Sequence, residues 1–123
     1  MPVADYLNEK GKKYIAQRGK EPRASVFDQA DPEFQQLLAN FAHNGMYARE
    51  VIPPAVRELL CVALLTALHP SNDELAFHLE YALNLNSEAA VMEAILLAGL
   101  LGGVPASSNG MKVYREVIER RRN

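Results

Sequence analysis

The chain has 123 residues, 49% of them hydrophobic, which is enough for one domain with a packed core. A formal charge of −2, with no basic stripe, argues against a nucleic-acid partner. The longest apolar runs fall short of the ~20 residues of a membrane span, and "MPVADYLNEKGKK" lacks the apolar stretch of a signal peptide, so a cytoplasmic protein with no membrane contact is expected.

Strand signals are weak, because alternating β-branched runs are missing and Ala and Leu dominate. Helix starts recur instead. Residues 4–18 read as a polar helix weakened by Gly11, and "KEPRASVFDQ" as a connector. In "DPEF", Asp31 suits an N-cap and Pro32 the first helical position. That helix runs to Asn44–Gly45, with Phe34, Leu37, Leu38 and Phe41 on one face. After "GMYAREVI", Pro53 and Pro54 open a helix that ends at "HPSNDE". Ser71 and Glu74 match the S-x-x-E capping box and start a helix to about Leu83–Leu85. "NLNS" turns the chain, and Ser87 caps "EAAVMEAILLAGLLGG", which Gly102 and Gly103 end. Pro105 opens the last helix, whose closing "RRR" complements the negative end of the helix dipole. The expected fold is all-α, about six helices in a single domain spanning 1–123.

Residues 59–68 are apolar all round, and 94–104 nearly so. Such helices need cover on every side. A chain this short has little to supply it, so self-association through these two segments is expected. The single cysteine, Cys61 in "LLCVALL", can form neither an internal disulfide nor a CxxC pair and reads as a buried small hydrophobe.

Two polar residues sit in apolar places. At ~100° per residue, His78 has Glu74, Leu75, Tyr81 and Ala82 as helix neighbours. Leu75, Ala82 and Leu85 define the inward face, so His78 points inside, with Glu74 and Tyr81 at its edges. A core histidine held by a carbonyl or by Glu74 fits that pattern as well as a functional one does. Glu58 stands among Ala55, Cys61, Val62, Leu65 and Thr66. It is either a general acid or base or a first-turn carboxylate favoured by the helix dipole. No metal site is expected, since His43, His69 and His78 lack ligand spacing such as HExxH. "GLLGGVP" lacks the Lys and Ser/Thr of a phosphate loop, and Ser107 and Ser108 lack a nucleophile elbow.

The order "DPEFQQLLANFA", "PPAVRELLCVALLTAL", "DELAFHLEYALN", "SEAAVMEAILLAGLLGGVPAS" resembles the carboxymuconolactone decarboxylase family of the alkylhydroperoxidase D-like superfamily, over about residues 28–120. The resemblance implies an all-helical, alkylhydroperoxidase D-like bundle and a ring-like homotrimer or homohexamer. It also implies cofactor-free decarboxylation of a small carboxylated lactone or keto acid. The superfamily's peroxidase branch carries CxxCxxxH on one helix and a glutamate on the preceding one. His78 falls at that histidine and Glu58, in "RELL", at that glutamate, but the cysteine positions hold Ser71 and Glu74. Antioxidant disulfide chemistry is therefore not implied, whereas "ELAFH" keeps the decarboxylase branch's E-L-x-x-H. By resemblance His78 is the proton donor and Glu58 its partner. Arg57 and Arg49 are candidates for a substrate carboxylate, and Glu74 and Tyr81 flank the histidine. Two segments depart from the family: "MYAREVIP" stands for W-x-R-P-G-L and "NLNS" for NNGV. The departures point to a substrate other than γ-carboxymuconolactone, or to a catalytically silent helical oligomer.

Overall fold

Asp31 caps its helix as the sequence predicts, its carboxylate accepting from the Phe34 amide at 3.1 Å with Pro32 in the first turn. The computed structural model describes residues 2–19 and 27–123, and every regular element among them is helical. The helices are α1 (Glu9–Gln17), α2 (Pro32–Leu38), α3 (Pro54–Leu68), α4 (Asn72–Leu85), α5 (Glu88–Gly102) and α6 (Val104–Arg122). They group into two compact units, residues 1–52 and 53–123. Residues 20–26, most of the expected connector, lie outside the described residues.

In the first unit, α1 begins at Glu9 rather than at residue 4. Val3–Tyr6 form a short 3-10 turn, and Asn8 then caps the helix by accepting from the Gly11 amide at 3.0 Å. Gly11 lets α1 approach Asn44 closely, because a Cβ there would overlap the Asn44 side chain. The Asn44 amide group donates to the Tyr6 carbonyl at 3.0 Å, and its oxygen accepts from the Asn8 amide at 2.9 Å. Past Leu38 the second helix widens to a π-helix over Ala39–Met46. The apolar face expected on α2 is not buried: Phe34, Leu37 and Phe41 stay exposed, while Gln35 and Ala39 turn inward. Gln35 displaces them because its side-chain nitrogen lies 2.8, 2.8 and 3.0 Å from the carbonyl oxygens of Phe27, Asp28 and Ala30, closing the turn before the helix.

The second unit packs α3, α4, α5 and α6 around Val62, Leu75, Leu79, Val91, Ile95, Val113 and Val117. Ser71 and Ser87 cap α4 and α5, accepting from the Glu74 and Ala90 amides at 3.2 and 3.1 Å. Gly103, at φ 98°, makes the turn from α5 to α6 in a conformation that glycine adopts without strain. The terminal arginines are tied down. Arg121 donates to Glu80 and Asn84, and Arg122 to Glu88. The two apolar helices each bury one side only. Leu60, Leu64 and Leu68 of α3, and Leu96, Leu97, Leu100 and Leu101 of α5, remain exposed on the chain.

Helix α6 passes close to both α3 and α5 at Gly110. A Cβ there would lie 2.8 Å from Thr66 Cγ2 and 2.9 Å from Ile95 Cγ2, both on stiff β-branched side chains in the core. Gly110→Ala should therefore destabilise the protein by about 1–3 kcal/mol from overpacking, outweighing the ~1 kcal/mol gain in helix propensity. Denaturation midpoints measure this, and an unchanged or raised midpoint would contradict it.

Candidate active site

The inward stripe of α3 is Glu58, Val62, Thr66, at four-residue spacing, and none of the three keeps exposed surface. The facing stripe of α4 is Leu75, His78, Leu79, Ala82. Packing these stripes into one core brings the two misfit residues together. His78 Nδ1 lies 2.8 Å from Glu58 Oε2. Glu58 is 0% exposed and His78 4%. Arg57, also buried, places Nε 3.4 Å from the other carboxylate oxygen, Oε1. A buried carboxylate without partners would cost several kcal/mol in lost hydration. Here a ring nitrogen and a guanidinium take one oxygen each.

Surrounding residues hold the pair. Tyr81, expected at the edge, is buried and sets its ring against the imidazole, centroids 5.4 Å apart and planes at 76°. Asn86 donates its side-chain amide to the carbonyls of Ala55 and Ala82, both at 3.1 Å, and so ties the first turn of α3 to the end of α4. Glu74 is half-buried in the first turn of α4. Arg49 belongs to the first unit, where it lines a groove with Lys10, Lys13, Tyr14, Gln17 and Glu50. There Lys13 bonds Glu50 at 2.6 Å and holds its carboxyl below the usual range. Glu58, His78, Arg57 and Tyr81 thus meet in the second unit.

Sequence reasoning missed two members. Cys61, expected in the core, is half-buried and stands one helical turn beyond Glu58. Burial, and secondarily the charge of Glu58, push its thiol up to about 11. Ligand atoms of Glu58, Cys61 and His78 lie within 4.8 Å of one another, so the three could hold a metal ion. A search confined to histidine spacing passes over such a set, because it spans two helices. Asn86 read only as a turn residue, and its carbonyl partners become visible only once α3 and α4 pack.

An all-α fold with an imidazole, a carboxylate and a guanidinium inside it has the parts of an acid–base centre. The sequence model of the carboxymuconolactone decarboxylase family matches residues 32–116, and the chain belongs to that family. It is similar to the 4-carboxymuconolactone decarboxylase of Acinetobacter baylyi, with 33% identity over 88 residues. The match covers 71% of this chain and 65% of that protein, a little under two thirds of the relative's length. Among the described residues, no helix is long and apolar enough to cross a membrane.

The thiol of Cys61 supplies a pH test. Only the thiolate attacks an alkylating agent. With the thiol raised from 9.0 to about 11, the rate of iodoacetamide labelling should still climb ~tenfold per pH unit past the pH at which an ordinary thiol levels off. A plateau near the ordinary thiol value would contradict the burial of Cys61 beside Glu58.

Proposed function

We propose that the protein is a carboxymuconolactone decarboxylase-like lyase acting on a small carboxylated lactone or keto acid, with His78 as proton donor and Glu58 as its partner. The observation that carries this reading is the buried 2.8 Å contact between Glu58 and His78. In the reaction the bond to the carboxylate carbon breaks and carbon dioxide leaves. The electron pair passes into the adjacent carbonyl or lactone as an enolate, whose carbon then takes one proton. The balance requires a proton and no electron acceptor. The His78 ring gives its Nε2 proton to carbon while its Nδ1–H donates to Glu58, which fixes ring orientation throughout. Solvent returns the proton after release. Arg57, already against Glu58, is the cation we assign to the substrate carboxylate.

A silent scaffold is the competing reading. A carboxylate–imidazole–guanidinium group inside a helical core is costly to bury, and apolar residues of similar volume would stabilise a scaffold at least as well. That cost favours a functional role for the group. The peroxidase reading lacks its cysteine pair, since Ser71 serves as the N-cap of α4 and Glu74 fills the other position.

We further propose a homotrimer or homohexamer, joined through the exposed leucines of α3 and α5. Each leucine removed from water contributes about 1.5–3 kcal/mol, enough in sum for a stable contact. Light scattering should give a mass several times that of one chain, and a monomer at micromolar concentration would overturn this.

The catalytic test is His78→Gln. Glutamine keeps a donor toward Glu58 at similar size, so the melting temperature should hardly move. An amide cannot transfer a proton near neutral pH, so turnover should fall ~100- to 10,000-fold. A lowered melting temperature with activity retained would make His78 structural. Carbon dioxide release across a panel of carboxylated lactones and keto acids finds the substrate. Release from none of them, with no compound raising the melting temperature, would favour the silent oligomer.

A further inference from the structure

Cys61 has no part in the proton transfer above, yet it stands against both residues that do. Three kinds of donor meet here: a carboxylate oxygen and a sulfur one turn apart on α3, and an imidazole nitrogen on α4, all within 4.8 Å of one another. A four-coordinate zinc ion, with bonds of ~2.0–2.3 Å, spaces its ligand atoms roughly 3.3–3.8 Å apart. The 4.8 Å bound on the cluster lies about 1 Å beyond that spacing, within the reach of side-chain rotation. We propose that Glu58, Cys61 and His78 bind a thiophilic divalent cation, for which Zn²⁺ is the probe, and that the ion and the Glu58–His78 proton transfer compete for the same side chains. The second half of the proposal rests on the catalytic reading, and the first half does not.

The donor set selects the ion. Sulfur and nitrogen ligands favour zinc and its late first-row neighbours over magnesium and calcium, which take oxygen. Two anionic ligands, thiolate and carboxylate, would cancel the ion's charge, so a neutral centre results. Arg57 keeps its position on the second carboxylate oxygen. Burial is uneven across the three ligands. Glu58 and His78 are held in the core while Cys61 is half-exposed. The sulfur side is therefore the one nearest solvent, from which water would supply the fourth ligand, as in zinc sites with an open position. In the resting chain a proton joins His78 to Glu58. With the ion on Nδ1 that proton is displaced, and the neutral coordinated ring holds its Nε2 proton too firmly to give it to carbon. An ion-loaded chain is therefore silent, and a chelator restores it.

The test uses the full chain and cobalt(II), a spectroscopic stand-in for zinc. Titration of the wild-type protein should reach one ion per chain. It should produce a thiolate-to-cobalt charge-transfer band in the near ultraviolet together with the intense visible bands of four-coordinate cobalt, and zinc should remove both. Cys61→Ser should abolish the near-ultraviolet band while circular dichroism shows an intact helical fold. His78→Gln should weaken binding by at least about tenfold. No thiolate band in the wild type, or one that survives Cys61→Ser, would overturn the site. The second half has its own readout. Zinc should suppress carbon dioxide release over the range in which it displaces cobalt, and full turnover by a metal-saturated chain would overturn the competition. Because the cobalt spectrum needs no substrate, failure of the decarboxylase reading leaves the metal result readable.

Discussion

A carboxylate with no exposed surface constrains everything packed around it. Glu58 has given up its hydration, and the second unit is arranged to answer that loss. One oxygen faces the His78 ring and the other the Arg57 guanidinium. This requires α3 to face α4 at one height, which the Val62 and Leu79 packing and the bonds of Asn86 supply. The core is thus also the frame of the Glu58–His78 pair. The residues that exclude water from the helices leave the histidine only 4% exposed, and in such surroundings electrostatic contacts are stronger than in water.

Much of this was legible in the sequence. The caps Asp31, Ser71 and Ser87 announce their helices because a short polar side chain before an apolar period satisfies amides that nothing else reaches. Glu58 and His78 stood out because each interrupts an inward stripe, although the stripes alone could not say that they meet. The arrangement in space was not legible. Gln35 took the inward position expected of Phe34 and Leu37 because three carbonyls needed a donor, and hydropathy does not register that need. Helix α1 starts later than its residue pattern suggests for a similar reason. Polar residues from Ala4 onward suit a helix, but Asn8 stops one by binding an amide three residues on. Cys61 looked like core from its neighbours alone, yet its angle on α3 places it at the margin.

Helix α3 divides its labour by angle. Glu58, Val62 and Thr66 face inward, while Leu60, Leu64 and Leu68 face out. The outward leucines explain why the segment reads as apolar all round: two different demands are superposed on one run of sequence. The same holds for α5, where Val91, Ala94, Ile95 and Ala98 line the interior and Leu96, Leu97, Leu100 and Leu101 do not. Hydrophobicity alone merges the two demands, and only the helical angle separates them.

The Asn86 side chain has a meaning beyond a turn. By donating to Ala55 on one helix and Ala82 on the other, it acts as a pin through two rods. Sliding α3 along α4 by one turn would move Glu58 about 5.4 Å, whereas its contact with His78 spans 2.8 Å. Small cores tolerate modest slippage when only greasy surfaces touch. An amide held at two points does not, so the "NLNS" segment serves as a length standard that keeps carboxylate and imidazole within reach of each other.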